Sequence, residues 1–367
     1  PVIASRTISF YILRQFLIWF VIMFATIVAV IMLIDAVELL RRGSGRDEAT
    51  FSVITSMALL RTPFLAQEAV PFAVMFGGIF TFLRLTRNHE LVVLRAAGVS
   101  VWQFLTPALI AAVALGIINI SVINPLSAVL LSQFEELEGR YFTGRSSLLA
   151  VSAEGIWLRQ NSNEGAGQTV IHAERVQPDE LRLEKVIVFQ FADDDKFTGR
   201  IDAESALLLN GRWELSEAWL TRPGRAGVFV AKQELATDLT PDKIQESFAS
   251  PDTVALWNLP RFIRVLEETG FSPVAHQLQF HALLAEPFLL AAMVLIAAVF
   301  SLRLTRRGGT IVLVGAGVLA GFFLFLLTNV IQALGLGASV PVILAAWTPA
   351  GVSMLVGITF LLHQEDG

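Results

Sequence analysis

The hydrophobic pattern alternates between long uncharged runs and one polar interval. Phe16 to Ile34 carries no charge for 19 residues, close to the roughly 20 apolar residues that cross a bilayer as a helix. It exceeds the roughly 7–15-residue core of a cleavable signal, so it reads as an anchor. A second span is predicted over Phe51–Leu83, with Arg61, Pro63, Glu68 and Pro71 in its first half. A third lies within the uncharged stretch Ala96–Phe134. That stretch is longer than one crossing, so an interfacial segment is expected before the helix proper. A fourth span covers Gln277–Leu302, interrupted at Glu286–Pro287. Gly308–Leu362 has no charge at all and is too long for a single helix crossing. Its natural break is Gly335-Leu-Gly-Ala-Ser-Val-Pro341, giving spans near 311–334 and 340–362.

Between the third and fourth spans the period falls to two. Ile156–Arg159, Thr169–Ala173, Leu181–Phe191, Arg200–Ala203, Arg212–Leu215 and Val228–Lys232 alternate or are β-branched. Turn residues separate them at Asn161-Ser-Asn, Asp193-Asp-Asp, Asn210-Gly211 and Pro223-Gly224. Many short strands at regular spacing predict a sandwich, jellyroll or open barrel without internal helix. Pro241–Phe248 and Leu259–Gly270 read as short helices returning to the membrane. The predicted fold is therefore a membrane α-helical protein of six spans, three plus three, with an inserted all-β domain. The segments are 1–138, 139–258 and 259–367.

Composition sharpens this division. The 367 residues are 54% hydrophobic and 16% charged, with mean hydropathy +0.63, against about 25% charged in a soluble domain. Gly139–Gln279 holds 20 acidic and 15 basic residues, hence the whole net charge of −5. Lys/Arg counts in short loops orient the spans. With the N-terminus inside, the inner segments carry Arg6, Arg14, Arg84, Arg87, Arg95, Arg303, Arg306 and Arg307. The outer loops carry Arg41, Arg42 and Arg46, which run against the rule. Both termini are thus expected in the cytoplasm and the β-domain outside, in the periplasm of a Gram-negative cell.

Enzymatic chemistry is hard to find. There is no cysteine and no G-x-x-x-x-G-K-[ST] loop. His89, His172, His276, His281 and His363 lack metal-ligand spacing. Asp193–Asp195 is acidic but lacks the spacing of an EF-hand loop, so it reads as a solvated tip. Gly315-Ala-Gly317-Val-Leu-Ala-Gly321 lies inside a span with no preceding strand, so close helix packing is the reading. Glu68 and Glu286, within spans, are expected to face the interior or a cavity. Arg61 and Glu68, seven apart, share a helix face. Asn329 and Gln332 either line a gate or hydrogen-bond across the bundle.

The sharpest segment is Asn88-His-Glu-Leu-Val-Val-Leu-Arg-Ala-Ala-Gly-Val-Ser-Val-Trp-Gln103. Glu90, Val93, Leu94 and Ala97 fall near one helical face that stops at Gly98. This is either an interfacial helix or a coupling helix, with Glu90 meeting an arginine of a partner.

The string Glu90–Ser100 resembles the coupling region of the LptF/LptG lipopolysaccharide export permeases. Leu33-Ile-Asp35 with its following basic pair, Pro63–Pro71, Thr237-Asp-Leu-Thr-Pro-Asp-Lys243 and Phe300-Ser-Leu-Arg303 are similar to that family as well, so the resemblance covers essentially the whole chain. The Asp35/Arg41–Arg42 region, the Leu-Thr-Pro-Asp-Lys segment and Leu361–Gly367 look more like the LptG side of the family than the LptF side.

The resemblance implies six spans and a periplasmic jellyroll. It implies a sister permease (LptF), a dimer of the ATPase LptB, the single-span LptC, and the periplasmic bridge protein LptA. ATP and Mg would be bound by LptB, and no cofactor by this chain. Lipopolysaccharide would be extracted from the inner membrane and passed toward the outer one. Glu90, Leu91, Val92, Arg95, Ala97 and Gly98 would contact the ATPase. Arg41, Arg42 and Arg61, with Asp35 and Glu68, would meet the acidic groups of the lipid, which gives the outward arginines a reason. The chain departs from the family at Met32, Phe64, Glu135, Glu136 and Glu138, where other members are basic. Either Arg61 compensates from one turn away, or the lipid A is less phosphorylated. Two rivals differ in kind. A secondary transporter would use Glu68 or Glu286, but no inverted repeat with broken helices is evident. A passive membrane-anchored periplasmic binding protein would not need six spans.

Overall fold

The computed structural model describes residues 6–44, 50–143, 156–161, 167–177, 182–192, 196–209, 211–224, 226–237, 250–268, 272–302, 310–337 and 339–366. The chain divides into two compact units, Pro1–Leu131 with Ala255–Trp257 and Gln277–Gly367, and Ser132–Val254 with Asn258–His276.

The first unit is helical. Its elements are α1 (Arg6–Gly43), α2 (Phe51–Arg87), α3 (Glu90–Ala96), α4 (Val101–Ile118), a π-helical turn (Asn119–Ile123) leading into α5 (Asn124–Glu138), and then α7 (Val274–Ser301), α8 (Thr310–Leu336) and α9 (Val342–Asp366). α6 (Leu259–Glu268) belongs to the second unit. Among the described residues six helices are long and apolar enough to cross a membrane: α1, α2, Val101–Phe142, α7, α8 and α9. The break between the last two falls at the expected glycine-rich segment. α2 runs on through Pro63 and Pro71, and α7 through Pro287, so the expected interruption at Glu286–Pro287 is absent.

The third span differs from expectation. No interfacial segment precedes it, because α3 stops at Ala96 and α4 starts at Val101. The surplus length lies at the far end instead, as a continuous rod from Val101 to Phe142. The predicted helix at Pro241–Phe248, the acidic tip Asp193–Asp195 and most of Thr237–Lys243 lie outside the described residues.

α2 and α7 form the centre of this unit, with 61% and 72% of their apolar windows buried, against 6% for α1 and 11% for α8. In lipid, apolar contact between helices gains little from leaving water, so close packing and small residues carry the association. Gly317 and Gly321 of α8 meet the tips of Ile79 and Met75 on α2, as the small-residue reading requires. Gly116 of α4 differs in meeting backbone rather than the end of a side chain. A Cβ there would sit 2.6 Å from the Cα of Pro287.

The second unit holds one antiparallel sheet of six strands in sequence order: β1 (Ile156–Asn161), β2 (Gly167–Gln177), β3 (Arg182–Ala192), β4 (Phe197–Leu209), β5 (Arg212–Thr221) and β6 (Val228–Ala236). The order is a meander, because each strand pairs with the next in sequence. One irregularity crosses it. The residues Glu174, Lys185, Glu204, Glu217 and Ala231 would oppose one another in register, and all are missing from the pairing ladders. Lys185 and Glu217 have positive φ, at 52° each. Across this row the buried side chains change parity, with Leu183 then Val186, Ala203 then Ala206, and Leu215 then Ala218. The row is therefore a crease. Among the described residues the apolar cluster consists of sheet residues only, with Trp213, Leu215 and Val188 at its centre. Glu174 and Lys185 close the crease with a 2.7 Å ion pair, and the Lys185 ammonium holds the Glu174 carboxyl below its ordinary range.

Gly116→Val would push its side chain into the Pro287 backbone. Overpacking of this kind costs about 1–3 kcal/mol, so the thermal midpoint in detergent should fall. Gly351→Ala adds a methyl group that meets nothing within 4 Å. It should leave the midpoint unchanged or raise it, since alanine is favoured over glycine inside a helix.

Candidate functional site

Two regions of the helical unit gather the predicted functional residues. The first is α3 and its turns. The chain leaves α2 at Asn88 and enters α3 through His89, whose φ of 59° is left-handed. α3 ends in a Schellman closure. The Val99 N–H donates to Leu94 O at 3.1 Å, and the Gly98 N–H donates to Arg95 O at 2.9 Å. Gly98 takes φ +82°, a conformation glycine adopts without the Cβ penalty. Two residues later Ser100 opens α4 with a capping box, its side chain accepting from Gln103 N while Gln103 accepts from Ser100 N. Stop and start thus follow one another without slack, and the direction of α3 is fixed by both.

Leu91 is 6% exposed and joins the main core with Val99, while Leu94 packs against that core. Val92, Val93, Arg95, Ala96, Ala97 and Gly98 are exposed. Of the expected face, Val93 and Ala97 are exposed and Glu90 and Leu94 part-buried, while Leu91 is buried in the core. Glu90 is half-buried and accepts from Tyr11 Oη at 3.3 Å and from Asn88 Nδ2 at 3.1 Å. This ties α3 to α1. Nearby, Arg84 donates to the buried Gln15 at 3.0 Å.

The second region is the opposite end of α1 and the start of α2. Arg61 donates to Asp35 at 2.8 Å across the two helices. The side chains are 31% and 10% exposed. One turn further along α1, Glu38 receives Arg41 in a bidentate contact, 2.8 Å on each oxygen, and Arg42 at 2.9 Å. Glu38 was not among the expected site residues, although its i,i+3 and i,i+4 spacing to the two arginines is visible in the sequence. Two carboxylates face three guanidiniums, leaving a balance of one positive charge. Arg41, at 74% exposure, is the outermost. Glu68 shares the helix with Arg61, but its side chain is exposed on this chain's own surface rather than interior.

Glu286 is interior, as expected. It accepts from Asn119 at 2.5 Å, and Asn119 opens the π-helical turn. Asn329 donates to the Phe325 carbonyl of its own helix at 2.9 Å and so makes no bond across the bundle there. Among the described residues no group of histidines and carboxylates could hold a metal ion.

Among the described residues, six helices able to cross a membrane and an inserted β-unit define a multi-pass membrane protein. The family model of the lipopolysaccharide export system permease LptF/LptG matches residues 10–363. The chain belongs to that family, and it is a multi-pass inner-membrane protein of lipopolysaccharide export rather than an enzyme. Among its relatives, the lipopolysaccharide export system permease protein LptG of Escherichia coli K12 is 24% identical over 342 residues, 89% of this chain and 90% of the relative. LptG of Haemophilus influenzae is 22% identical over 353 residues, 93% and 95% of the two chains.

The Asp35–Arg61 pair gives a direct test of the α1–α2 junction. Either Asp35→Ala or Arg61→Ala leaves a half-buried charge without its partner and should cost about 1–3 kcal/mol. The double variant should cost less than the sum of the singles, measured by denaturant unfolding in mixed micelles.

Proposed function

We propose that this chain is the LptG-type permease half of an ATP-driven exporter that draws lipopolysaccharide from the inner membrane toward a periplasmic bridge. The observation that carries the substrate role is the gathering of Arg41, Arg42 and Arg61 at one end of α1 and α2. By the arginine distribution that end is the outer leaflet, where the acidic groups of lipopolysaccharide lie. Guanidiniums hold phosphate and carboxylate bidentately, as Arg41 holds the Glu38 carboxylate. Glu68 adds a carboxylate, which a bilayer tolerates only beside a cavity or a partner.

ATP hydrolysis belongs to a separate ATPase, LptB, and ATP and Mg bind there. Val92, Val93, Arg95 and Ala97 form the docking face, with Glu90 at its edge, Leu91 as its anchor and Gly98 as its stop. The β-unit faces the periplasm and both termini the cytoplasm. The thinly covered α1 and α8 receive the sister permease, LptF. LptC and LptA continue the path beyond the membrane.

Affinity purification from native membranes should bring down a sister permease and a soluble ATPase. Transport coupled to protons by this chain alone would contradict the proposal. Val93→Glu places a charge on the docking face and should release the ATPase while the permease pair survives. Arg41→Ala with Arg42→Ala should lower lipopolysaccharide photo-crosslinking by about fivefold or more, the loss of at least one charge-assisted contact. Unchanged crosslinking would remove these arginines from the substrate path.

A further inference from the structure

A groove of about 850 Å³ runs between α1 and α4, away from the arginine cluster and from the exposed face of α3. One end of it is polar, lined by Arg6 and Ser9 of α1 and by Gln103 and Thr106 of α4. Beyond that end the lining is apolar, with Leu13 and Leu17 facing Ala111, Leu115 and Ile118. Both helices begin at the polar end and run in parallel from it, so both positive helix dipole ends lie beside Arg6.

The length of the groove selects its occupant. From Arg6 to Leu17 along α1 is about 16 Å, and from Gln103 to Ile118 along α4 about 22 Å. One leaflet of hydrocarbon is about 15 Å deep, while a crossing helix needs about 30 Å. A transmembrane partner would therefore leave half its length outside the groove. An acyl chain with its headgroup at Arg6 fits the groove from end to end.

We propose that this groove is a binding site for an anionic phospholipid, with the phosphate at Arg6 and an acyl chain between α1 and α4. By the arginine distribution this is the cytoplasmic leaflet, opposite to the leaflet of the exported lipid. The site therefore holds a resident lipid and not cargo. It depends only on the helical unit lying in a membrane, and the export role stands or falls separately. Such a lipid would brace α1, whose apolar window is the least covered of the six.

The full chain in phosphatidylcholine nanodiscs can be tested with two photoreactive probes, phosphatidylglycerol and phosphatidylcholine, each with a diazirine near the end of one acyl chain. Mass spectrometry then maps the adducts. The phosphatidylglycerol probe should label the segments around Leu13–Leu17 and Ile110–Leu115 about fivefold more than the phosphatidylcholine probe, the preference expected of one basic side chain at an anionic headgroup. Arg6→Gln should abolish that preference without shifting the thermal midpoint, and Ala114→Phe should reduce labelling by filling the groove. Equal labelling by both probes, labelling spread evenly over α8, or indifference to both variants would overturn the site. So would adducts in native membranes showing a second protein helix seated in the groove.

Discussion

A bilayer offers no hydrogen bonds, so every backbone N–H and C=O inside it must be satisfied within the protein. Among the described residues the helical unit meets this with six long helices, and at Pro287 a disturbance of helical regularity coincides with a polar contact between helices. Pro287 removes an N–H from α7, and the neighbouring Glu286 is held by Asn119 at the π-helical turn of the third span. Gly116 lets the two backbones approach at the same level. Thr62, Thr81 and Thr86 donate to the carbonyls of Ala58, Gly77 and Phe82 on their own helix, at 2.8, 2.6 and 2.8 Å, so their hydroxyls are satisfied within α2.

The same constraint sorts the helices by role. α2 and α7 are buried by their neighbours and form a rigid centre, whereas α1 and α8 present most of their apolar surface outward. α1 is nevertheless pinned at both ends, through Tyr11 to Glu90 beside α3 and through Asp35 to Arg61 on α2. Between these two ties α1 also packs on α2, where Phe16 and Phe20 are buried, Trp19 stacks on Phe80 and the Phe20 backbone lies against Gly77. The β-unit is built differently. Its described residues form one sheet, and buried side chains lie on both sides of the crease at Lys185, Glu204 and Glu217.

The spans, their number, the β-insert and the glycine packing of α8 were legible in the sequence, because each rests on a period or a length set by the solvent. The stop at Gly98 was legible too, and the Ser100-x-x-Gln103 box that follows it could have been read in the same pass. Contacts between distant residues were not. Asp35 and Arg61 are 26 apart, Gln15 and Arg84 69, and Asn119 and Glu286 167, and no local pattern announces such pairs. The inward turn of Leu91 and Leu94 depends on the crossing angle of α3, which its own seven residues do not encode. The crease escaped detection because the change from Ala203 to Ala206 looks like the end of an alternating strand. In the structure it is a shift of parity within a strand that continues to Leu209.

Membership of an export family places the function in the movement of lipopolysaccharide between two membranes, and that movement is directly measurable. The test is conditional depletion of this chain in its own cell, followed by separation of the inner and outer membranes and quantification of newly labelled lipopolysaccharide in each. Newly made lipopolysaccharide should accumulate in the inner membrane while its arrival at the outer membrane falls in step with the chain. An unchanged distribution after the chain is gone would contradict an essential role in export.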